Sequence, residues 1–216
     1  LQYDYLPFDE VVFPRNFIET DFYKFPDSYF LTNINPIRSR EDYIDTLNTH
    51  PNILKRRENV KQIVSGLNNE GRKTFAQAES LFFEIRDLAR FESINIFLTR
   101  HEYDDAIYNT HVLMQSHPNS EFLNVALGAA LYGISKHKTS GGISEIIENY
   151  KSIEGEKQQV NYFLSKLNKN EFNLLALRYL WNIHKNYPTN VYITSILTDI
   201  SRDLVGRNKL DYTDFS

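Results

Sequence analysis

Two alanine-to-proline intervals of twelve residues, Ala106 to Pro118 and Ala176 to Pro188, constrain this fold more than any other feature of the chain. Both lie where apolar residues recur at helical spacing, and each proline opens a polar turn, Pro118-Asn119-Ser120 and Pro188-Thr189-Asn190. Alanine lets two helices approach closely, and proline stops a helix because it lacks the N–H that the next turn needs. The interval therefore predicts a helix that packs tightly at its alanine and ends before its proline, twice over.

The surrounding periodicity agrees. Val60, Ile63, Val64 and Leu67 predict a short amphipathic helix, ended by Asn68, Asn69 and Gly71. Thr74 with Gln77 forms a capping-box pattern for the next helix. Ala78, Leu81, Phe82, Ile85, Leu88 and Ala89 give that helix its stripe; it runs to about Thr99, long enough to break into two. Phe97, Tyr103, Ala106 and Pro118 then stand at the separations of the tetratricopeptide repeat, and Leu127-Gly128 matches its Leu-Gly pair. Thr110 stands where an aromatic is usual and Ile94 where glycine is, and residues 138–150 interrupt the period. Residues 139–155 are expected to hold a short helix around Ile143 to Asn149 or a crossing loop. Val160, Phe163, Leu164 and Leu167 resume helical spacing, and Leu174, Leu175, Leu177, Leu180, Trp181 and Ile183 predict the most buried helix. Asn190 is placed to cap a last helix through Ile193, Ile196, Leu197, Ile200 and Leu204. The expected fold is all-α: stacked antiparallel helical hairpins, a tetratricopeptide-like α-solenoid over residues 74–216.

Residues 1–48 differ in character. Ten Phe and Tyr residues fall in the first thirty positions, interrupted by Pro7, Pro14, Pro26 and Pro36, so no long helix fits there. Nine acidic residues against four basic give the segment a net charge of −5. An extended aromatic arm of this kind must hide its apolar area, either along the helices of its own chain or as a strap against another domain or partner.

Composition excludes several functions. The net charge of −4 gives no support to general nucleic-acid binding, and the absence of cysteine removes thiolate metal sites and cysteine nucleophiles. No run approaches the roughly 18 apolar residues that span a bilayer. The chain opens on Leu1 rather than Met, as expected of a processed chain or an excised segment of a longer parent. His101-Glu102 lacks a histidine four residues on, where Asp105 stands, and falls at an expected turn. His111 and His117 are expected at solvent or as caps, and His184 beside Lys185 as a helix C-terminal cation. Gly141-Gly142 has no phosphate-loop sequel, and no serine sits in a nucleophile elbow. Lys55, Arg56, Arg57, Lys61, Arg72 and Lys73 give residues 52–74 a net +4 after Glu58 and Glu70, which reads as a solvated basic face.

Between arm and hairpins, residues 49–73 carry one sharp motif: Thr49-His50-Pro51, with Arg56 six positions after the histidine. This resembles the Thr-His-Pro-x4-Arg motif of the HExxH zinc metallopeptidases of the CAAX prenyl protease, HtpX and BepA-like family. In that family the motif follows the zinc-binding helix, and envelope members often continue into tetratricopeptide repeats; the order here is the same. The HExxH helix is absent from this chain.

The resemblance implies a non-catalytic C-terminal region of a zinc metalloendopeptidase, binding protein substrates or partners through its hairpins, in the periplasm or cell envelope. Zinc would belong to the parent, with none held by this chain, and His50 would be a regulatory zinc ligand reaching the parent's site. Capping of the following helix is the competing role for His50. The alternative function is a free-standing tetratricopeptide-like adaptor that binds peptides with no attached enzyme.

Overall fold

The structure, a computed structural model, describes residues 11–19, 23–37, 44, 46, 52–67, 79–140 and 146–208, with side chains of 138–140 and 207–208 excepted. Among these the chain is all-α and has no strand: α1 (Ile53–Ser65), α2 (Glu79–Arg100), α3 (Tyr103–Met114), α4 (Glu121–Ser140), α5 (Lys157–Lys166), α6 (Lys169–Asn186) and α7 (Val191–Asn208).

Local signals set the helix ends. Asn52 caps α1, its side chain accepting the Lys55 N–H at 2.9 Å. The Ser120 hydroxyl accepts the Leu123 N–H at the start of α4, at 3.4 Å. Asn168 and Glu171 form a capping box on α6: the Asn168 side chain accepts the Glu171 N–H at 3.0 Å, and Glu171 accepts the Asn168 N–H at 2.8 Å. Asn190 accepts the Ile193 N–H at 3.1 Å and starts α7, as its place after Pro188 predicts. Pro118 lies in the turn between α3 and α4, and Pro188 in the turn between α6 and α7. Thr74 and Gln77 lie outside the described residues.

Packing runs in order: α2 on α3, α3 on α4, α4 on α6 and α6 on α7, with α4 also touching α2 and α7. α5 sits against α3. Ala106 and Ala176, the alanines of the two intervals, are fully buried. The main core joins Leu127, Ile134, Phe163, Phe172, Leu180, Ile193 and Leu204, and a second cluster gathers Ile94, Leu113, Leu123 and Ala126.

Three expectations meet the structure. α2 ends at Arg100, next to the expected Thr99, and runs unbroken from Glu79. α6 is not the most buried helix: its Trp181 is 52 % exposed, and α4 buries more of its residues. The reason is side-chain size: a Cβ on Gly128 would lie 2.8 Å from Ile183 Cδ1, and one on Gly133 would lie 2.3 Å from the Tyr103 ring. Those two glycines let α6 and the start of α3 close onto α4. Thirdly, His111 is neither solvent-side nor a cap, but 1 % exposed.

What covers His111 is the N-terminal segment. Residues 11–19 and 23–37 run along the helices without a long helix of their own, making single 3-10 turns at Arg15–Phe17 and Asp27–Tyr29. Phe13 and Phe25 are each 4 % exposed. Burying two such rings contributes roughly 3–6 kcal/mol of transfer free energy. Within the 141–149 stretch, the described residues 146–149 are not helical, and the remainder lies outside the described residues.

Candidate functional site

Residues 11–19 and 23–37 meet the helices through a set of polar and aromatic contacts. Gln158 and Gln159, both buried on α5, accept backbone N–H groups that would otherwise be stranded: Asn35 N–H on Gln158 at 2.7 Å and Leu31 N–H on Gln159 at 2.9 Å. Gly155, at φ 76°, turns its own N–H onto the Asn35 carbonyl at 2.7 Å, a conformation glycine adopts without a Cβ penalty. Further along, the Tyr29 hydroxyl donates to Glu171 at 2.9 Å, so the residue that caps α6 also holds the segment. That bond pushes the Tyr29 phenol above its usual value. The Phe25 ring meets Phe163 edge-on at 4.8 Å.

At its other end, the segment seals His111. The imidazole Nε2–H donates to the Val12 carbonyl at 2.9 Å, and the ring stands edge-on to Phe13 and Phe17 at 5.3 and 4.6 Å. Its Nδ1 is buried with no hydrogen-bond partner. Burial pulls the His111 pKa below the ordinary value, and the Val12 bond offsets only part of that.

Between these two ends the segment roofs a cavity of about 260 Å³. Phe17 and Tyr23 face it from the segment, Leu127 and Leu131 from α4, and Val160 and Phe163 from α5. From α6 come Arg178, Asn182 and Asn186, at i, i+4 and i+8 and so on one stripe, flanked by Tyr179. The Arg178 guanidinium lies over the Tyr23 ring at 4.4 Å. The Tyr179 hydroxyl donates to Asn124 at 3.2 Å, and burial raises its pKa, so the phenol stays neutral.

A second polar cluster ties α5 to α3. Lys157 Nζ stands 2.6 Å from Asp105 and 3.5 Å from both Asp104 and Glu148, while Asn161 donates to Asp104 at 2.5 Å. Burial pulls the Lys157 pKa down, but the three carboxylates raise it further, so the amine stays protonated. A permanently charged lysine is no nucleophile or Schiff-base former, and the cluster reads as a fastening. On α4 and α7, Lys136 pairs with Asp199 and with Asp203 at 2.5 Å, and Tyr132 donates to Asp199 at 2.6 Å, its phenol pushed up to about 12 by burial and that bond.

The residues singled out in the sequence separate into two groups. Thr49, His50 and Pro51 lie outside the described residues, and Arg56 is exposed on α1. Phe97, Tyr103, Ala106, Leu127, Gly128 and Ala176 face the helical packing, with Pro118 and Pro188 exposed in turns. His101 ends α2 at φ 63°, its ring stacked on Tyr103 and 5.5 Å from His137. Two imidazoles fall short of the three protein ligands of a catalytic zinc, and among the described residues no group of three metal-ligating side chains forms. No described helix is long and apolar enough to cross a membrane. Sequence reasoning missed Gln158, Gln159, Arg178 and the role of His111; none carries a local signal, because each acts on residues far away in the chain.

No family model, no curated protein and no solved structure matches this chain.

Proposed function

We propose that this chain is a non-catalytic protein-interaction region, built from tetratricopeptide-like helical hairpins and belonging to a zinc metalloendopeptidase of the cell envelope. The observation that carries the interaction role is an exposed apolar stripe. Leu81, Ile85 and Leu88 on α2 are 51, 57 and 62 % exposed, and Val60, Ile63 and Leu67 after the Thr-His-Pro motif are 47, 66 and 52 % exposed. Residues at i, i+3, i+4 and i+7 that are apolar and in water mark a face meant for another protein surface. The part of the chain bearing that face is also the part that resembles the end of a metallopeptidase catalytic domain, which makes such a domain the natural cover for it. Packing in the order α2, α3, α4, α6, α7, with tight approach at Ala106, Gly128 and Ala176, supports the stacked-hairpin reading.

Hydrogen exchange tests this. In the full natural polypeptide, amides of Leu81 to Leu88 are expected to exchange at least about tenfold more slowly than in the isolated 216 residues, since covered helices open less often. Equal exchange in both would leave the stripe without a partner in its own polypeptide and favour the free-standing peptide-binding adaptor.

A further inference from the structure

The cavity beneath the N-terminal segment combines two features that seldom occur together without a ligand. Its walls are mostly apolar, and its one cationic lining residue, Arg178, has a buried Nη1 with no hydrogen-bond partner. Guanidinium donors are ordinarily satisfied, so an arginine that lines a mostly apolar cavity and has an unpartnered nitrogen is placed to take an acceptor from outside the chain. Stacking on Tyr23 occupies only the face of the guanidinium; its donors lie in its plane, where a carboxylate pairs with them. Asn182 and Asn186 continue the same stripe and add amide donors one and two turns on. Glu19 also lines the cavity, but its carboxylate accepts the Phe25 N–H at 2.8 Å and lies 3.8 Å from the Lys24 ammonium, so its charge is already partnered.

We infer that this cavity binds a small monocarboxylate bearing a short apolar group, with the carboxylate on Arg178 and the apolar group against Leu127, Leu131 and Phe163. The volume of about 260 Å³ is room enough for a six-carbon acid. Such a ligand is either a free acid or the C-terminus of a peptide ending in an apolar residue; both present the same two groups. Because the roof of the cavity is the N-terminal segment, occupancy also tightens that segment on the helices.

Calorimetric titration of the 216-residue chain with hexanoate, hexanamide and hexylamine tests the inference. Hexanoate is expected to bind saturably and about tenfold or more tighter than the amide, with the amine weakest. Arg178→Met is expected to abolish the preference for acid over amide, and Arg178→Lys to retain part of it. A short peptide ending Leu-Leu, as free acid and as C-terminal amide, separates the two sources: binding of the peptide acid assigns the site to a chain terminus, and binding of hexanoate alone to a free acid. The inference is overturned if the amide or amine binds as tightly as the acid, if hexanoate does not bind, or if Arg178→Met keeps the preference. The acid-to-amide comparison uses the unaltered chain, so it stands even where a variant fails to fold.

Discussion

At the scale of single residues, two positions decide how closely the chain packs and how it responds to acid. Gly133 faces the Tyr103 ring, and an added Cβ would lie 2.3 Å from it. Alanine is the better helix former by about 1 kcal/mol, but a ring only 8 % exposed cannot swing aside. Gly133→Ala is therefore expected to destabilise the chain by about 1–3 kcal/mol in urea unfolding, where propensity alone predicts a gain. His111 gives a pH signature. Its folded pKa is lowered by burial, so near neutral pH the ring is uncharged and the contact intact. As pH falls below about 6.5, the unfolded chain takes up the proton first, and the stability contributed by the neutral ring is lost as pH passes the folded value. The urea midpoint should fall between pH 7.5 and 5, and His111→Gln should flatten that fall.

At the scale of elements, residues 11–19 and 23–37 of the N-terminal segment are held by contacts from far down the chain. Phe25 is its principal apolar anchor, 4 % exposed against Phe163. Phe25→Ala is expected to cost about 3–5 kcal/mol and to expose Arg15 and Lys24 to trypsin well before the helices are cut. Retained resistance at those two sites would mean that Gln158, Gln159 and Glu171 hold the segment without the ring. The helices were legible from sequence because their signals are local: the 3.6-residue period, the caps Ser120 and Asn190, and the prolines that stop α3 and α6. The path of the segment was not. Gln158 and Gln159 read as ordinary helical residues until Leu31 and Asn35 are beside them, and His111 reads as a surface histidine until Phe13 and Phe17 cover it. Size patterns were half legible: Leu127-Gly128 announced a close helix contact, but Gly133 did not, since its partner Tyr103 lies a whole helix earlier.

At the scale of the molecule, the described chain divides its apolar surface in two. From α3 to α7 the helices bury their stripes against one another and against the N-terminal segment; α1 and the first half of α2 present theirs outward. In the proposed function, the covered part would be the interaction scaffold and the uncovered part the face that meets another domain. Zinc belongs to that other domain in the proposed reading. The zinc content of the natural polypeptide that carries this sequence, purified intact and measured with its full sequence, tests the reading most directly. About one zinc per polypeptide is expected, with a His-Glu-x-x-His helix upstream of Leu1 to hold it. A polypeptide of these 216 residues alone, free of zinc, would contradict it and leave the adaptor in its place.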